Sequence, residues 1–149
     1  MVKNYTSEVK AEKSVMHIEF TLIKHGANKI LKTVEAHRLT GISFIMTVNG
    51  TDMPFRLPAR IDRVEKQLKS LVKKPQKGTL ARITEQAERT SWKLLADWVD
   101  IQMSLVELDQ VEIIEVFMPY IWDGAKNKTL FEQMKSNGFA MLEDRHSGK

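Results

Sequence analysis

The sequence predicts an α+β protein: an N-terminal helix, a three-stranded antiparallel β-meander, then four helices, one of them long and central. Three observations carry this. Apolar residues recur at helical spacing in two separate stretches, 14–24 and 84–108. Between them, Ile42, Phe44, Met46 and Val48 alternate with polar neighbours, as do Met53, Phe55 and Leu57, and Asn49-Gly50 joins the two runs as a hairpin turn would. The length of 149 residues, with 42% hydrophobic and 28% charged, suits one domain with an ordinary core. That domain is expected over 1–142, followed by a flexible polar tail over 143–149.

Taken in order, Ser14 is placed to cap the first helix, whose stripe is Val15, Ile18, Leu22 and Ile23. His25-Gly26 ends it, since glycine adopts the left-handed C′ conformation cheaply. Lys29–Val34 is the weakest of the three strands, and Pro54, lacking an N–H, makes the third an edge strand or one paired on a single side. Pro58 opens the second helix, expected to reach Lys74, with Ile61, Val64, Leu68, Leu71 and Val72 on one arc. The next helix, Thr84 to Leu108, has a narrow polar strip and two apolar flanks. One holds Leu94, Trp98 and Ile101, the other Trp92, Val99 and Met103. Two flanks imply neighbours on both sides, so this helix is either central or half of a homodimer interface. Asp109-Gln110-Val111-Glu112 and Thr129-Leu130-Phe131-Glu132 read as capping boxes for two short helices, the second closed by Gly138.

Charge is segregated. The formal total is +4, but 58–93 holds ten basic and four acidic residues, while 94–119 holds six acidic residues and no Lys or Arg. The absence of cysteine excludes disulfides, thiolate metal sites and a cysteine nucleophile. The first residues are polar, and no stretch approaches the ~20 apolar residues of a membrane span. The expectation is a cytoplasmic protein with no membrane partner.

Chemical motifs are scarce. His17, His25, His37 and His146 form no close pair at ligand spacing, so no metal is expected. No nucleophile elbow or phosphate loop occurs. Asp97 with Asp100, and Glu112 with Glu115, share helical faces at i, i+3, a spacing that acid–base or Mg²⁺ chemistry uses but that helix surfaces also produce routinely. Neither a catalytic residue nor a cofactor is expected. The clearest signal is the basic segment: Arg60, Arg63, Lys66, Lys69, Lys73 and Lys74 lie off the apolar arc and are candidate phosphate contacts to DNA or RNA. Asp62 and Glu65 interrupt that face, and no aromatic lies among the cations. Trp92, Met103 and Trp122 are candidate protein-interface residues, with core packing as the alternative.

Asn4-Tyr5-Thr6-Ser7-Glu8-Val9, the helix end His25-Gly26-Ala27 and Met53-Pro54-Phe55-Arg56-Leu57-Pro58 together resemble a family of small uncharacterised phage and prophage proteins. Glu85-Gln86-Ala87-Glu88-Arg89 leading to Trp98-Val99, and Glu115-Val116-Phe117-Met118-Pro119-Tyr120, extend the resemblance from Asn4 to Phe139. Glu35-Ala36-His37-Arg38 departs from the short acidic turn of that pattern. The resemblance implies an accessory protein acting inside a bacterial host cell during infection or lysogeny, and no catalytic residues. Such a protein is expected to act by binding. The first expectation is nucleic acid, or a complex that handles it. The alternative is a protein-interaction module, monomeric or homodimeric, that inhibits a host defence protein.

Overall fold

The computed structural model describes residues 2–140 together with 142 and 143. His146 and, apart from residue 143, the tail expected over 143–149 lie outside the described residues.

The element order is α+β. Helix α1 (Ala11–Lys24) is followed by strands β1 (Lys29–Glu35), β2 (Arg38–Val48) and β3 (Thr51–Pro58), then α2 (Ile61–Ser70) and α3 (Thr79–Glu107). A short helix α4 (Ile113–Phe117) and a 3₁₀ turn (Met118–Tyr120) lead to a two-stranded ladder, β4 (Trp122–Asp123) with β5 (Lys128–Thr129), and to α5 (Leu130–Ser136). The β4–β5 ladder is an element that the sequence pattern does not announce. Among the described residues, no helix is long and apolar enough to cross a membrane.

Helix α1 begins three residues before Ser14. Lys10 takes the extended N-cap conformation without a side-chain bond, and Ser14 is buried one turn inside. At the other end the amide of Ala27 donates to Leu22 O and that of Gly26 to Ile23 O, with Gly26 at φ 107°. This paired closure is the one that a left-handed C′ glycine permits.

The meander is ordered β1-β2-β3. Both hairpins turn on two left-handed residues, Ala36-His37 and Asn49-Gly50, whose twist matches that of the strands. Register pairs Phe44 with Phe55 and Ile42 with Leu57, so one face is continuously apolar and buried. The Phe44 and Phe55 rings stack at 5.3 Å, and Phe117 of α4 meets them at 5.6 and 5.9 Å.

Helix α3 lies over that buried face. Trp92 is 1% exposed, and its Nε1 donates to Leu39 O at 3.1 Å. Val99 and Met103 are buried on the same flank. On the other flank, Trp98 packs edge-on against Phe117 and Tyr120. This makes α3 the central element, and it corrects the expectation of Trp92 and Met103 as interface residues. Both are core side chains, because the sheet and α1 already occupy the flank that carries them.

Three boundaries also differ from expectation. Helix α2 stops at Ser70, so Lys73 and Lys74 lie on the following loop. Helix α3 begins at Thr79, five residues earlier than its apolar stripe suggests. Asp109 serves as the left-handed C′ residue of α3 (φ 56°), with Gln110 N donating to Leu105 O, and therefore cannot cap α4. The cap passes to Glu112, which forms a reciprocal box with Glu115. The box at Thr129 and Glu132 forms as expected.

Candidate nucleic-acid interface

Four arginines from three consecutive elements converge where the meander hands over to α2. Arg38 opens β2, Arg56 lies on the outer face of β3, Arg60 precedes α2 and Arg63 stands in its first turn. They line a hollow of about 480 Å³, which also receives Glu35 and Asp62. The chain reaches this arrangement through backbone conformation. The Ala59 amide continues the ladder to Thr40 O at 2.9 Å, and Arg60 then turns to φ 38°, ψ 47°, a left-handed conformation uncommon outside glycine.

Two of the four are held rigidly. Arg38 Nε donates to Glu88 Oε1 at 2.9 Å, with Glu65 Oε2 at 3.6 Å from its Nη1. Arg56 Nη2 donates to Thr33 Oγ1 at 3.0 Å, and its guanidinium carbon sits 4.4 Å from the centroid of the Trp122 ring. Gly41 makes this crossing feasible. A Cβ there would stand 3.3 Å from Leu57 O and 3.8 Å from both Arg56 Nε and the Thr33 Cβ. Arg60 and Arg63, by contrast, have no carboxylate within 4.0 Å among the described residues, and both are exposed. Two arginines thus shape the hollow while two remain available.

The remaining basic candidates do not join it. Lys66 is exposed on α2 beyond Arg63, Lys69 is paired with Glu65 at 2.9 Å, and Lys73 and Lys74 are exposed on the loop. The six therefore do not form one helical face. Sequence reasoning missed Arg38 and Arg56, which reach the hollow only through β pairing. Arg56 did carry a signal, since alternation places it with Pro54 on the outer face of β3.

The acidic block has a structural use. The polar strip of α3 is a seam to α1 and the N-terminal segment. Asp97 accepts from Asn4 and Lys93, Asp100 from His17 (2.7 Å) and Thr21, and Glu107 from His25 (2.8 Å). Gln86 and Arg89 donate to Ser7 O on the same seam. Among the described residues, no group of three or more His, Asp or Glu is gathered for a metal ion.

Three carboxyls are held below their ordinary values. For Glu65 the chief cause is the hydrogen bond from Lys69, followed by that from Thr84, with the charges of Lys69 and Arg38 adding to both. Burial pushes Asp97 up, but bonds from Lys93 and Asn4 and the charges of Lys93 and Lys3 outweigh it. Glu132 is lowered first by the Thr129 amide and also by the charges of Arg60 and Arg56.

Glu65 links Arg38 of the sheet to Thr84 of α3, so its lowered value is a stabilising contact between elements. A depressed carboxyl contributes its full stability above its ordinary value, 4.5 here, and loses it as pH falls through the folded value. Thermal melts from neutral pH to below 4.5 are expected to show a midpoint that drops with acid. Glu65→Gln should lower the neutral-pH midpoint and flatten the acid limb. An acid limb as steep in the variant as in the parent would remove Glu65 from this role.

Comparison of the chain with protein-family models, with curated proteins and with solved structures returned no match. The functional reading therefore rests on the site itself.

Proposed function

We propose that this is a non-enzymatic accessory protein of phage type. It acts by binding nucleic acid, or a complex that handles nucleic acid, through the arginine hollow. One observation carries the reading: two unpaired arginines, Arg60 and Arg63, stand at a hollow whose shape is held by two paired ones, Arg38 and Arg56. Guanidinium groups present forked donors that match phosphate oxygens, and pre-ordering the hollow reduces the entropy lost on binding. Lys66 and the loop residues Lys73 and Lys74 extend the positive surface away from the hollow. The acidic side chains of the α1–α3 seam are committed to internal partners, which lessens their repulsion of a bound phosphate chain.

The test is fluorescence anisotropy of labelled oligonucleotides against salt concentration. The expected result is binding at low salt that weakens linearly in log–log coordinates, with a slope for about two to four displaced counterions.

One observation favours a protein partner instead. Met16, Phe20 and Ile23 form an apolar stripe on α1 at i, i+4 and i+7, and each is more than half exposed. Failure to bind any probe at low salt, together with a light-scattering mass near twice 17.2 kDa, would overturn the nucleic-acid reading and favour pairing through α1.

A further inference from the structure

Antiparallel register sorts the side chains of the meander into rows. Leu31, Ser43 and Arg56 form one row, and Lys29, Ile45 and Pro54 form the next. Their sequence neighbours Phe44 and Phe55 are buried in the core, so alternation turns both rows to the opposite, outer face. Beyond β3 the backbone of Ile121 bridges Phe55. The next residue, Trp122, is thereby brought to the outer side beside Pro54. Leu31, Ile45, Pro54 and Trp122 line a hollow of about 360 Å³ there, with Lys29 at its rim. Leu31 is 69% exposed, so the floor is open.

We infer that this outer hollow takes an unpaired nucleobase, so that the nucleic acid bound by this protein is single-stranded. The inference rests on the phosphate reading of the arginine hollow and names its substrate class. The two hollows meet at one side-chain pair. Arg56 lines the arginine hollow, and its guanidinium also stacks on Trp122, a wall of the apolar one. A ligand spanning both must alternate anionic groups with flat apolar rings at short spacing, which describes a nucleotide chain. Among the described residues, the apolar hollow is lined by a cation and by no carboxylate. That complements a polyanion and disfavours an acidic peptide. The volume lies in the lower part of the range for small-ligand sites, ~300–1,000 Å³, and suits one base ring system better than a folded surface. A duplex does not fit, because its bases are paired and stacked on one another and offer no free ring face to Trp122.

Trp122 also supplies the readout. Trp92 is in the core and Trp98 packs under Tyr120, so a stacked base would quench Trp122 in preference to the other two. The experiment titrates the full chain with a short oligothymidylate and with a hairpin duplex of equal length. Both intrinsic fluorescence and anisotropy are followed. The expected result is tighter binding and quenching with the single strand. Trp122→Phe should abolish most of the quench while retaining part of the affinity. Trp122→Ala should weaken single-strand binding roughly ten- to a hundredfold and leave duplex binding unchanged. Leu31→Glu, at an exposed position that places no demand on folding, should weaken the single strand in the same direction. Equal affinity for the two probes, with no effect of either Trp122→Ala or Leu31→Glu, would overturn the single-strand inference and leave the phosphate reading intact. Loss of binding to both probes in the parent protein would overturn both.

Discussion

Trp92→Ala is expected to destabilise the protein by about 3–5 kcal/mol, the range for removing a large aromatic side chain from a well-packed core. Trp92 is 1% exposed beneath the sheet and is among the largest fully buried side chains of the chain. Two losses combine. The indole leaves a cavity between α3 and the meander, which close-packed neighbours fill only in part. Its Nε1 bond to Leu39 O also disappears, leaving that carbonyl of β2 to find another donor. Trp92→Phe shifts the balance between the two terms, since it gives up the donor but keeps most of the apolar volume, for an expected cost of about 1–2 kcal/mol. Urea unfolding followed by circular dichroism is the measurement. A cost below about 1 kcal/mol for Trp92→Ala would mean that α3 is not the central support of this fold.

The double variant Arg60→Glu/Arg63→Glu is expected to reduce nucleic-acid affinity by one to two orders of magnitude at low salt and to lower the salt slope by about two. The reasoning is local. Arg38 and Arg56 already spend their donors on Glu88 and Thr33, so reversing them would disturb packing and confound the result. Arg60 and Arg63 are exposed and unpaired among the described residues, so their reversal breaks no ion pair of the fold. Glu132 is lowered in part by the charges of Arg60 and Arg56, so circular dichroism of the double variant accompanies the binding measurement to separate any effect on the α5 cap from the effect on the ligand. Lys73→Glu/Lys74→Glu, on the loop away from the hollow, serves as the comparison and is expected to have the smaller effect. Equal losses in the two double variants would show that charge alone, and not the hollow, governs binding.

Much of the fold was legible because its signals are short-range. Asn49-Gly50 specifies its hairpin through backbone conformations that few residues adopt, and His25-Gly26 ends α1 for the same reason. The alternation of Ile42, Phe44 and Met46 and of Phe55 and Leu57 identified the buried sheet face without any knowledge of its partner. Boundaries were harder wherever one residue had two local uses. Ser14 was a plausible cap, but tertiary packing placed it inside the helix, and Asp109 was claimed by the C-terminus of α3 before it could start α4. The ladder of β4 with β5 has two residues in each strand, too few to leave a periodic signature.

The candidate site divides along the same line. Composition located a basic segment, and Arg60 and Arg63 within it were read correctly as lying off the apolar arc. That only two of the six line the hollow depends on where α2 ends and on which lysine meets Glu65. Composition also marked the acidic block between 94 and 119. Half of its acidic residues, Asp97, Asp100 and Glu107, line the seam of α3 with α1 and the N-terminal segment, because residues more than eighty positions apart supply partners to them.

The sequence by itself determined the α+β class, the buried faces of β2 and β3 and the segregation of charge, all of which are carried by local pattern and composition. Only the tertiary structure decided that Trp92 and Met103 are core, that Arg38 and Arg56 join Arg60 and Arg63, and that Trp122 stands beside Arg56 on an open sheet face. The physical reason is range: periodicity reports which way a side chain points, whereas what it meets there is set by contacts that close across long stretches of chain.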